Sequence, residues 1–97
     1  MEREILEKRY KELGNSLRED NKHRNFFNHC YWRISNDNAC LGKWTYYIGS
    51  PFYKMAPIEI LRKSVKFLQE MKNDSNKIDE YNFFSLKKRG KLKNKQL

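Results

Sequence analysis

The sequence predicts a mainly α protein: a small bundle of three to four helices with an aromatic-rich connecting loop or short strand and a flexible basic C-terminal tail. Three observations carry this expectation. Apolar residues recur at helical spacing in separate stretches of the chain. Fourteen aromatic residues, nine of them between Phe26 and Tyr53, supply apolar area that a hydrophobic share of only 38% would otherwise lack. The last eleven residues carry six cations and no acid, with nothing to bury. A chain of 97 residues holds one core. Residues 1–86 are therefore expected to form a single helical domain and residues 87–97 a disordered basic tail.

Residues 2–13 read as the first helix, with Leu6, Tyr10 and Leu13 on one face and Glu4/Lys8 and Glu7/Lys11 as i,i+4 pairs. Gly14, Asn15 and Ser16 are expected to end or bend it, and whether Leu17 continues the same helix is open. A second helix is expected from about residue 25 to Cys40, capped by Asn21 or Asn25, with Gly42 taking the left-handed conformation after it. Phe27, Tyr31, Ile34 and Leu41 gather on its apolar stripe. Residues 43–53 favour strand but are broken by Gly49, Ser50 and Pro51, which leaves a structured loop or one short strand. Pro57 opens a third helix with Ile60, Leu61, Ser64, Leu68 and Met71 on one side and Arg62, Lys63 and Lys66 exposed. Residues 72–76 read as a loop, after which Tyr81, Phe83, Phe84 and Leu86 dock a last short element.

Charge points to a class of partner. The net charge is +9, and it is unevenly spread: residues 21–66 carry eight basic and two acidic side chains, and residues 1–20 five and six. Such a field attracts polyanions. No apolar run approaches the roughly 18 residues of a membrane span, and the N-terminal residues lack the apolar stretch of a leader. A cytoplasmic protein with no membrane contact is expected, and Cys30 and Cys40 are expected to be free thiols.

Four groups of residues are candidates for function. On the second helix His29, Arg33, Asp37 and Asn38 mix an imidazole, a guanidinium, a carboxylate and an amide. One expectation is a surface Arg33–Asp37 pair with His29 solvated. The other is a polar pocket in which Arg33 grips a phosphate or carboxylate and Asp37 holds its geometry. Trp32 falls on the otherwise polar side, either packed under the first helix or free to touch a ligand. Lys43, Trp44, Tyr46 and Tyr47 offer cations and rings for stacking on bases. Lys87, Lys88 and Arg89 begin a cationic arm suited to phosphates.

Catalysis has little support. His29 and Asp37 are the sole acid-base set, phosphate-cradling and dinucleotide glycine motifs are absent, and no Cys-x-x-Cys or His-x-x-x-His pair pre-forms a metal site. No enzyme activity, metal or cofactor is expected.

The segment from His29 to Asn38, followed by Lys43-Trp44 and Pro51-Phe52-Tyr53, resembles segments of small uncharacterised bacteriophage and mobile-element proteins. The resemblance covers about a third of the chain and implies a compact accessory protein that blocks a host defence or modulates a nucleic-acid machine. The expected function is nucleic-acid binding through the cationic aromatic surface and tail. The alternative is an inhibitor that binds a host protein or sequesters a phosphorylated nucleotide around His29, Arg33, Asp37 and Asn38. A homo-oligomer is also compatible with so small a chain.

Overall fold

Leu6, Tyr10, Leu13 and Leu17 share one face at helical spacing, and they lie on a single helix, α1 (Glu2–Asp20). The structure, a computed structural model, describes residues 1–91. Gly14, Asn15 and Ser16 do not end α1 but sit inside it. A close approach explains the glycine: the Trp32 indole crosses α1 at Gly14, where a Cβ would stand 2.2 Å from Nε1. That Nε1–H donates to the Tyr10 carbonyl at 2.8 Å, and the two rings stack with centroids 5.6 Å apart. The cost of glycine in a helix interior is thus set against a ring contact that only a missing side chain admits.

The second helix, α2 (Asn28–Cys40), begins at Asn28 rather than near residue 25. Neither Asn21 nor Asn25 caps it; Asn21 closes α1 instead, with its amide on the Leu17 carbonyl. At the far end the left-handed residue is Leu41 (φ 57°), not Gly42. Gly42 N–H bonds to the Asp37 carbonyl and Leu41 N–H to the Asn38 carbonyl, the pairing of a Schellman turn. Gly42 is buried against the Tyr47 ring, so the space one position later explains its smallness. Phe27 and Leu41, the two ends of the expected apolar stripe, are exposed. Tyr31 and every residue from Ile34 to Ala39 are buried instead, because α2 packs against α1, α4 (Ile58–Asn73) and α5 (Asn76–Lys88) at once.

The connection after α2 contains no strand. Trp44–Tyr46 wind into a 3-10 turn, and Phe52–Met55 form a one-turn helix, α3, that buries Phe52. Strand propensity needs a partner edge to act on, and among the described residues there is none. Helix α4 follows Pro57 as expected and buries Leu61, Ser64, Val65, Leu68 and Met71. The loop expected at residues 72–76 shrinks to Asp74 and Ser75, since Lys72 and Asn73 continue α4. Helix α5 docks through Ile78 and Ser85, while Phe83 faces solvent.

The boundary of the tail also moves. Lys87 and Lys88 are the last residues of α5, and Arg89 turns back to pair with Asp37. These three residues belong to the fold; residues 92–97 of the expected tail lie outside the described residues. The result is a mainly α bundle, with five helices among the described residues and α2 at its centre. Among the described residues no helix is long and apolar enough to cross a membrane.

The Trp32 crossing is directly testable. Gly14→Ala should gain about 1 kcal/mol from helix propensity if position 14 were an ordinary helical site. The close approach predicts a net loss of about 1–3 kcal/mol through overpacking, read by urea unfolding. A stabilised variant would show that Trp32 does not sit on Gly14.

Candidate functional site

The buried side of α2 reads Ser35, Asn36, Asp37, Asn38, and each polar group must find partners in the protein. Asn36 does so with α1 and α4: its Nδ2 donates to Tyr10 Oη at 3.0 Å, and its Oδ1 accepts from Ser64 Oγ at 2.8 Å. Ser35 and Ser64 hydroxyls lie 2.8 Å apart. Burial pushes the Tyr10 phenol far above its ordinary range, with the Asn36 bond opposing, so it stays protonated. Asn38 clips α2 to α5 by donating to the carbonyls of Ile34 and Tyr81.

Asp37 is fully buried and accepts four hydrogen bonds. Its Oδ2 takes Ser85 Oγ–H at 2.6 Å and Arg89 Nε–H at 2.5 Å; its Oδ1 takes Arg89 Nη2–H and the Trp44 backbone N–H, both at 3.0 Å. This corrects the expected Arg33–Asp37 pair. Arg89 arrives from the end of α5 with its fork aligned on both oxygens, whereas Arg33 extends to Ser85 Oγ (2.6 Å) and Asn82 Oδ1 (2.9 Å). Burial and the neighbouring Arg89 charge hold the Arg33 guanidinium below its ordinary value.

Around this anchored frame lies an open cleft of about 680 Å³ between α1, α2, the 3-10 turn and α3. Trp32, Trp44, Phe52 and Tyr53 form its aromatic wall, with Tyr10 behind them. Trp44 meets Phe52 edge-on at 5.4 Å, and Tyr10 stacks on Phe52 at 5.9 Å. Lys11, His29, Arg33 and Arg89 supply positive or protonatable groups, and among the described residues no Asp or Glu lines the cleft. Asn28 Nδ2 donates a hydrogen bond of 2.8 Å to Asn15 Oδ1, bridging α2 to α1, and both residues also line the cleft.

Of the residues singled out in the sequence, the fold gathers His29, Trp32, Arg33, Trp44 and Arg89 at this cleft. Asp37 and Asn38 stand behind it as framework. Trp32 takes the packed alternative against α1 while keeping an edge on the cleft. Lys43 lies over the exposed Tyr46 ring at 5.2 Å, and Tyr47 covers Gly42, so this trio is displayed on the turn rather than in the cleft. Lys87 and Lys88 are exposed on α5, Lys88 over the Phe84 ring.

Sequence reasoning missed Lys11 and Tyr53 as partners in the site. They come from α1 and α3 and meet there, with the Lys11 ammonium 4.4 Å from the Tyr53 ring centre. Only the aromatic clustering around Tyr53 hinted at it.

Cys30 and Cys40 are free thiols, and burial followed by the Asp37 charge pushes Cys40 up to about 11, which keeps it protonated. Among the described residues no three His, Cys, Asp or Glu side chains converge as a metal site. No protein-family model matches the chain, and comparison with curated proteins and with solved structures returns no match.

Asp37→Ala and Arg89→Ala should each lower stability by about 3 kcal/mol, because each leaves the other charge poorly partnered. The double variant should lose less than the sum, with a coupling of about 1–3 kcal/mol in a urea cycle. Strict additivity would mean that the pair is not formed.

Proposed function

We propose that the protein binds single-stranded nucleic acid, with an unstacked base against the aromatic wall of the cleft and the backbone along its cationic groups. The carrying observation is the pairing of that wall with Lys11, His29, Arg33 and Arg89 in a cleft that, among the described residues, no carboxylate lines. Aromatic faces accept any base, and cations that track a backbone bind without sequence preference. The +9 charge of the chain brings polyanions to the site.

Two features favour single strands over duplex. The helix that carries most of the site, α2, is covered by α1, α4 and α5, so it is not free to enter a major groove. A cleft of this volume suits a base or nucleotide rather than a double helix.

Oligothymidylate titrated against the Trp32 and Trp44 fluorescence should bind with an affinity that falls steeply as salt rises. Trp44→Ala should weaken binding by about 1–3 kcal/mol through loss of one stacking face. Salt-independent binding, or a Trp44→Ala protein that folds and binds as the parent does, would contradict this function.

A further inference from the structure

The polar cluster behind the cleft has an imbalance of charge. Two guanidiniums, Arg33 and Arg89, share the environment of one carboxylate, Asp37, and Arg89 occupies both of its oxygens. Arg33 is half-buried, and its two hydrogen-bond partners, Ser85 Oγ and Asn82 Oδ1, are neutral. Among the described residues no carboxylate lies within ion-pair distance of it. One positive charge is therefore held in place, partly desolvated and without a carboxylate of its own, on the lining of the cleft.

Another groove of comparable size offers a contrast. It lies at the connection from α1 to α2, where Lys22 is paired with Glu19 and Arg24 with Asp79. Lys22 and Arg24 have carboxylate partners of their own and Arg18 lies over the Phe27 ring, whereas Arg33 has no carboxylate in ion-pair contact.

A guanidinium carries five N–H donors, and the two bonds to α5 leave others for a ligand. Those two bonds also fix the plane of the fork, so little side-chain freedom remains to be lost on binding an anion. His29 stands one helical turn before Arg33 on α2 and lines the same cleft, where it adds a second donor. The aromatic wall begins with Trp32, the residue next to Arg33.

We propose that Arg33, with Arg89 and His29, forms a seat for one phosphate group, and that the cleft therefore takes a nucleoside monophosphate unit, phosphate on Arg33 and base on the aromatic wall. The phosphate seat stands on the placement of Arg33, its neutral partners and its remaining N–H donors. The assignment of its ligand as a unit of a nucleic-acid strand rests on the function proposed above.

The test compares thymidine, thymidine 5′-monophosphate, inorganic phosphate and oligothymidylate at one ionic strength, following the Arg33 Nε–H resonance of the parent protein by NMR. The monophosphate should bind at least about tenfold more tightly than thymidine, as a charge-assisted fork requires. Inorganic phosphate should shift the Arg33 resonance saturably, and Arg33→Gln should bring the monophosphate down to the affinity of thymidine. Equal binding of thymidine and its monophosphate to the parent, or an Arg33 resonance that phosphate leaves unmoved, overturns the seat whether or not the variant folds. Oligothymidylate binding without any Arg33 shift overturns the seat and leaves the nucleic-acid function standing. Saturable phosphate binding at Arg33 with no oligothymidylate binding does the reverse.

Discussion

The carboxylate of Asp37 is the interaction on which the rest of the structure depends. It lies at the centre of the bundle on the helix that three others cover, and its four hydrogen bonds tie α2 to the end of α5 and to the 3-10 turn. A buried charge is tolerated only when its lone pairs are filled, so these partners are obligatory and their positions follow. Trp44 is placed through its backbone N–H, and Arg89 through its fork. Ser85 donates to Asp37 and accepts from Arg33, which carries the constraint one residue further. The cleft is in this sense a consequence of how a buried polar helix is satisfied.

The other wall is set by the same helix. Asn36 holds the Tyr10 hydroxyl and Trp32 holds the Tyr10 carbonyl, so α1 is fixed at two points of a single residue. Ser64 joins α4 to this network. Polar groups that are fully partnered in a low-dielectric interior rigidify the packing around them. A cleft framed in this way has its aromatic faces and cations fixed in place, which would lower the ordering cost of the binding proposed above.

Much of the bundle was legible in the sequence because it rests on local periodicity. Helix α4 follows from Pro57 and the spacing of Leu61, Ser64, Leu68 and Met71, and the first part of α1 from Leu6, Tyr10 and Leu13. What escaped depended on contacts between distant residues. Gly14 reads as a break until Trp32 is known to cross it, and Leu41 reads as apolar stripe until the turn puts it in left-handed geometry. The same limit governed the site. His29, Arg33 and Asp37 were visible as one helical cluster, yet the partner of Asp37 is Arg89, fifty-two residues away. A run of tail cations gave no local sign that its third member pairs with a buried carboxylate.

The central claim is that recognition happens in the cleft organised by Asp37 rather than over the cationic surface at large. Mapping amide and indole resonances of the labelled protein during titration with a short single strand tests it most directly. The account predicts the largest shifts at the Trp32 and Trp44 indole N–H groups and at the backbone of His29 and Arg33. Shifts confined to exposed lysines such as Lys63, Lys66, Lys87 and Lys88, with both indoles unmoved, would contradict it.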